Sequence, residues 1–167
     1  MNYAQMRNYD IANGPGIRCT LFISGCHTHC PGCFNPEYQD PNYGKKFDEA
    51  AMKQLLTYYM DPDVNGLSIL GGEPLEYPDE IAAIIQECKK ADSKKTIWIY
   101  TGFIFEDIAT NPTIKNIFRN IDVLVDGPYV ERFRNPALQF RGSENQRIID
   151  IVHTISNDNN IVLWKGK

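Results

Sequence analysis

Between Arg18 and Asp126, four short apolar runs alternate with helical patterns, and this alternation constrains the fold more than any other feature. "RCTLFISG" (18–25) reads as a buried strand that stops on a glycine. "FDEAAMKQLLTYYM" places Asp48 to cap a helix whose apolar positions include Met52, Leu55, Leu56 and Tyr59. "GLSILGGEP" is a second strand opening into a double-glycine turn. A helix with Pro78 in its first turn and a stripe of Ile81, Ile84, Ile85 and Cys88 follows it. "KTIWIYTG" is a third strand, a weaker helical stretch surrounds Ile114, Ile117 and Phe118, and "IDVLVDGP" is a fourth strand.

Such alternation predicts parallel βα units joined by right-handed crossovers. The chain has 167 residues, well short of the roughly 250 typical of a closed eight-fold barrel. The expected fold is therefore α/β, an open partial (βα) barrel of mostly parallel strands. Beyond Asp126 the pattern changes to loops and short strands, including "RIIDIV" and "NIVLW". No repeat or linker interrupts the chain, so residues 1–167 are expected to form a single domain.

The loop leaving the first strand carries "CHTHCPGC", which sets Cys26, Cys30 and Cys33 in a C-x3-C-x2-C spacing. In a βα fold that end of the strand is where active sites gather. Thiolates ligate iron–sulfur clusters, and a cubane normally takes four of them, so three leave one iron open to a substrate or chelator. The alternative is zinc, with three cysteines and His27 or His29 as the fourth ligand. Cys19, inside the first strand, and Cys88, on the apolar stripe of a helix, read as core packing.

"GGEP" (Gly71 to Pro74) also follows a strand and belongs on the same rim. Paired glycines admit close approach to the backbone, and Glu73 offers a carboxylate to a cationic amine. A double-glycine turn is common on its own, but beside the cysteine spacing it favours the cluster over zinc.

Together these two motifs resemble the radical S-adenosylmethionine enzymes. That resemblance implies that Cys26, Cys30 and Cys33 hold a four-iron, four-sulfur cluster whose fourth iron is chelated by S-adenosylmethionine. It also implies that Gly71, Gly72, Glu73 and Pro74 hold the methionine amino group. Many members place an aromatic residue just before the third cysteine, near the adenine. Here that position is Gly32, and Phe34 is the candidate substitute.

A narrower resemblance covers nearly the whole chain. "NGPGIRCTLFISGC", "CPGCFN", "GGEPL", "IWIYTGF", "VLVDGPY" and "RGSENQRIID" are similar to the activating proteins of anaerobic (class III) ribonucleoside-triphosphate reductases. What this implies is reductive cleavage of S-adenosylmethionine to a 5′-deoxyadenosyl radical, which takes hydrogen from a glycine of the reductase. Implied partners are the glycyl radical subunit of that reductase and a one-electron donor such as flavodoxin. Competing expectations are an activator of another glycyl radical enzyme, or a non-enzymatic zinc or iron–sulfur module.

Further candidates sit on the same rim. "NGPG" (Asn13, Gly14, Pro15, Gly16) has little side-chain bulk and is a candidate contact for the partner's peptide loop, or else a plain turn. Thr101 and Asp126 end the third and fourth strands and are candidates for the nucleotide, or else caps of the turns that follow. Arg141 presents a fork suited to the methionine carboxylate, or else is a surface arginine beside Glu144. A net charge of −4 argues against a nucleic-acid partner, and no run of about 18 or more apolar residues spans a membrane. The first residues lack the apolar core of a secretory signal, and five cysteines, three of them clustered, do not look like a disulfide framework. The expected compartment is reducing cytoplasm.

Overall fold

The computed structural model describes residues 1–166. In chain order its elements are β1 (Asn2–Asp10), β2 (Arg18–Ile23), β3 (Lys45–Lys46), α1 (Glu49–Tyr59), β4 (Gly66–Gly71) and α2 (Pro78–Ala91). There follow β5 (Thr96–Tyr100), α3 (Phe105–Ile108), α4 (Pro112–Phe118), β6 (Val123–Asp126), β7 (Arg147–Asp150) and α5 (Ile151–Ser156). The strands form an open sheet in the order β3-β1-β2-β4-β5-β6-β7.

The four strands expected from the apolar runs are the parallel centre of this sheet, with β2 beside β4, β4 beside β5 and β5 beside β6. Antiparallel strands complete both edges, β1 and β3 on one side and β7 on the other. No apolar run before Arg18 announces β1. The polar Asn2, Gln5, Arg7 and Asn8 of β1 hide the strand, which pairs with β2 from Tyr3 to Asp10.

Alternation along each strand separates two apolar layers. Cys19, Leu21 and Ile23 of β2 face the helices, where Leu55 and Tyr59 of α1 and Ile81, Ile84, Ile85 and Cys88 of α2 are fully buried. Each such side chain contributes about 1.5–3 kcal/mol through removal from water. Asp48 caps α1 as expected, accepting from the Ala51 N–H at 3.0 Å, and Pro78 opens α2. On the other face Trp98, Val123 and Val125 are covered by Phe140, Ile148 and Trp164.

Two details depart from the sequence reading. "RIIDIV" is not one strand: Asp150 accepts from the His153 N–H at 3.0 Å and caps α5, so Ile151 and Val152 turn into a helix. "NIVLW" contributes only an isolated bridge between Leu163 and Ile149. A third feature was not anticipated. Arg18, at the head of an apolar run, is fully buried. Its guanidinium donates to Ser68 Oγ (2.6 Å), the Leu67 carbonyl (2.7 Å) and Thr96 Oγ1 (3.0 Å), and lies over Trp98. Burial pushes its pKa down to about 10.

Candidate functional site

β2, β4, β5 and β6 are parallel, so their C-terminal ends share one rim. The cysteine loop leaves β2 and is pinned by two backbone bonds, from the Gly25 N–H to the Tyr38 carbonyl (2.8 Å) and from Cys26 to Gln39 (3.2 Å). Within it the backbone is left-handed at His29 (φ +46°) and Gly32 (φ +74°), and the Cys33 N–H returns to the Cys30 carbonyl at 3.1 Å. These reversals curl the loop until Cys26, Cys30 and Cys33 all line one cavity of about 490 Å³. All three are free thiols, partly exposed.

Neither histidine joins them on that wall. His27 Nδ1 lies 2.7 Å from Glu76 Oε2, and His29 Nδ1 lies 2.8 Å from Gln39 Oε1. Burial raises the Cys30 thiol above its usual range, partly offset by a hydrogen bond from the Tyr129 backbone. Cys19 and Cys88 lie away from the cavity, and burial pushes each up to about 12.

The double glycine also has a structural job. The Gly72 N–H donates to the Ile23 carbonyl and the Glu73 N–H to the Gly25 carbonyl, both at 2.8 Å. A Cβ on Gly72 would overlap the Gly25 carbonyl oxygen, and one on Gly71 (φ +113°) would collide with the Ile23 backbone. The glycines therefore let the turn lie flat against the backbone entering the cysteine loop. Both still line the cavity.

Glu73 lines it too, yet is only 1% exposed. Its carboxylate accepts from the Leu75 N–H (2.9 Å), the Thr101 hydroxyl (2.8 Å) and the Gly102 N–H (2.7 Å). Burial outweighs these donors and pushes its pKa up to about 7. Thr101, on the cavity wall, is thus tied to the same carboxylate.

Asn13, Phe34 and Arg141 complete the expected residues found on this cavity, while Gly14, Pro15, Gly16, Pro74 and Asp126 do not line it. Phe34 is 61% exposed and packs on Tyr129 with ring centroids 4.9 Å apart. Gly14 is buried against Arg18 and Trp98. Asp126, 1% exposed, accepts from the Phe105 N–H (2.9 Å) and from Arg147, whose guanidinium also holds Glu106. Its carboxylate is committed to the scaffold. Arg141 donates to the Gln146 carbonyl and is the single Lys, Arg or His among the lining residues.

Tyr100, Tyr129, Phe140 and Gln146 also line the cavity and were not expected there. Gln146 Oε1 accepts from the Gly142 and Ser143 N–H groups while its Nε2 donates to the Gly127 carbonyl. That explains part of "RGSENQR" as a clasp between two rim loops. Only the unusual density of polar residues there signalled it.

Residues 12–149 match the family model of the 4Fe-4S single cluster domain, which places the chain in a class of iron–sulfur proteins. The three thiols suit that class as donors, since all of them line the cavity and no histidine does. The anaerobic ribonucleoside-triphosphate reductase-activating protein of Escherichia coli (strain K12) is 39% identical over 151 residues, covering 87% of this chain and 96% of that protein. Its counterpart from Enterobacteria phage T4 is 36% identical, covering 89% and 93%, and that of Vibrio cholerae 34%, covering 89% and 97%. The chain belongs to the family of anaerobic ribonucleoside-triphosphate reductase-activating proteins.

Proposed function

We propose that this chain activates an anaerobic ribonucleoside-triphosphate reductase by radical S-adenosylmethionine chemistry, generating a glycyl radical on its catalytic subunit. The observation that carries this reading is the welding of the three-cysteine loop to the "GGEP" turn, backbone to backbone, at one cavity. When bound and reduced, a four-iron, four-sulfur cluster supplies the electron that breaks a carbon–sulfur bond of S-adenosylmethionine. Cys26, Cys30 and Cys33 would each hold one iron, leaving the fourth to the amino and carboxylate groups of the ligand.

The remaining roles fall to the chain's own residues. Glu73 has three of about four acceptor sites filled, so one remains for an N–H of the methionine amino group beside the backbone of Gly71 and Gly72. Pro74 fixes the exit of that turn, and Thr101 holds the carboxylate in place. Arg141 pairs with the methionine carboxylate, and Phe34 with Tyr129 forms the aromatic edge for adenine. Asp126 positions the rim through Arg147. Asn13 and its neighbours Gly14, Pro15 and Gly16 meet the glycine-bearing loop of the reductase, which must already lie in contact when so unselective a radical forms.

In this reading the chain acts as one cytoplasmic domain and its open sheet is a partial barrel of the radical S-adenosylmethionine type. A donor such as flavodoxin supplies the electron. Anaerobic reconstitution with iron and sulfide tests the chemistry. About four irons per chain are expected, with cleavage of S-adenosylmethionine to methionine and 5′-deoxyadenosine under reductant. Tight zinc binding without cleavage would sink the proposal.

A further inference from the structure

The cavity wall that carries Arg141 is braced from behind. Phe140 lines the cavity, and its ring packs edge-on against Trp98 (centroids 5.7 Å apart) and against Trp164 (6.1 Å). The two tryptophans meet each other at 5.0 Å. Neither of them lines the cavity.

Phe140 has a left-handed backbone (φ +57°), a conformation that a bulky residue keeps only where its surroundings impose it. In an extended chain successive side chains point to opposite sides. Phe140 and Arg141 nevertheless line the same cavity, and the left-handed residue supplies the necessary turn.

The segment around Trp164 packs against Phe140 and is itself fixed to the sheet. The Trp164 N–H donates to the Ile148 carbonyl and the Asp150 N–H to the Val162 carbonyl, both at 2.9 Å, so the segment is laid along β7. The Trp164 ring is thereby delivered to the sheet face under Phe140.

We infer that Trp164 is a positioning residue: by fixing the Phe140 ring it sets the direction in which Arg141 enters the cavity. Its functional consequence rests on the proposed pairing of Arg141 with the ligand carboxylate.

Two readouts on cluster-loaded protein, kept anaerobic, test it. The first needs no ligand: phenylglyoxal labelling of arginines, followed by mass spectrometry. Trp164→Ala should change the Arg141 labelling rate several-fold while exposed Arg132 and Arg134 react as before, and Trp164→Phe should restore the wild-type rate. The second is equilibrium binding of S-adenosylmethionine and of its decarboxylated analogue. Trp164→Ala should bind the former about tenfold more weakly and the latter unchanged, with no further loss in combination with Arg141→Ala.

An unchanged Arg141 labelling rate in a folded Trp164→Ala protein overturns the inference, as does equal weakening of both ligands. Altered labelling with an Arg141→Ala protein that binds S-adenosylmethionine normally upholds the positioning and overturns the carboxylate pairing instead. Should Trp164→Ala fold poorly, Trp164→Leu keeps apolar bulk without the ring, and the same outcomes decide.

Discussion

Glu73 concentrates most of the chemistry of this rim in one side chain. It is buried, bonded three times, and raised to about 7, against an ordinary carboxyl value of 4.5. A carboxyl whose pKa is raised by folding favours the folded state below its unfolded pKa. That contribution is lost as pH climbs through the folded value. Between pH 4.5 and 7, wild type should therefore lose up to about 3 kcal/mol relative to Glu73→Gln, read from paired denaturant melts. Parallel melting curves for the two proteins would show that the three donors, not burial, govern this group. The cysteines divide more simply. Cys26→Ala, Cys30→Ala or Cys33→Ala should each abolish cluster assembly. Cys19→Ala or Cys88→Ala should keep the iron and cost about 1 kcal/mol of packing. Iron content and visible absorbance check this. Cysteines and "GGEP" were legible in the sequence because each motif is local. Phe140 and Gln146 were not, because tertiary contacts alone bring them to the cavity.

At the level of elements, the sequence is readable wherever an apolar run ends on a glycine, as β2 and β4 do. It fails at the edges. β1 carries Gln5 and Arg7 in a strand whose outer neighbour is only the two-residue β3. The β7–α5 junction hides inside "RIIDIV", where Asp150 switches from ladder residue to helix cap. The double glycine also seats one loop on another, a packing role that only the tertiary structure reveals. Gly72→Ala should therefore cost about 1–3 kcal/mol through overlap with the Gly25 carbonyl. It should also loosen iron retention, measured as a faster loss to a chelator. Arg147 staples β7 to β6 and α3. Arg147→Met strands the buried Asp126 and should cost about 3–5 kcal/mol. Glu106→Gln, on an exposed partner, should cost about 1 kcal/mol or less. Equal losses from the two substitutions would mean that the Asp126 contact is not the dominant one.

At the scale of the whole molecule, one cavity gathers the thiols, the "GGEP" glycines and glutamate, and a lining set whose single Lys, Arg or His is Arg141, with exposed apolar side chains nearby. Phe34 is 61% exposed, and Ile11, next to the lining residues Ala12 and Asn13, is 77% exposed. In the proposed function Phe34 meets the adenine, and the segment Asn13 to Gly16 receives the reductase, with Ile11 as its exposed apolar neighbour. Ile11→Asp should then weaken activation of the reductase while leaving S-adenosylmethionine cleavage in isolation unchanged. In the proposed function this chain places a radical on a glycine of another protein. Its most direct test is an electron paramagnetic resonance spectrum of the chain mixed anaerobically with an anaerobic ribonucleoside-triphosphate reductase, reductant and S-adenosylmethionine. A glycyl radical signal is expected, requiring Cys26, Cys30 and Cys33 here and the target glycine on the reductase. A cluster-loaded protein that cleaves S-adenosylmethionine in the mixture yet leaves the reductase without that signal would contradict it.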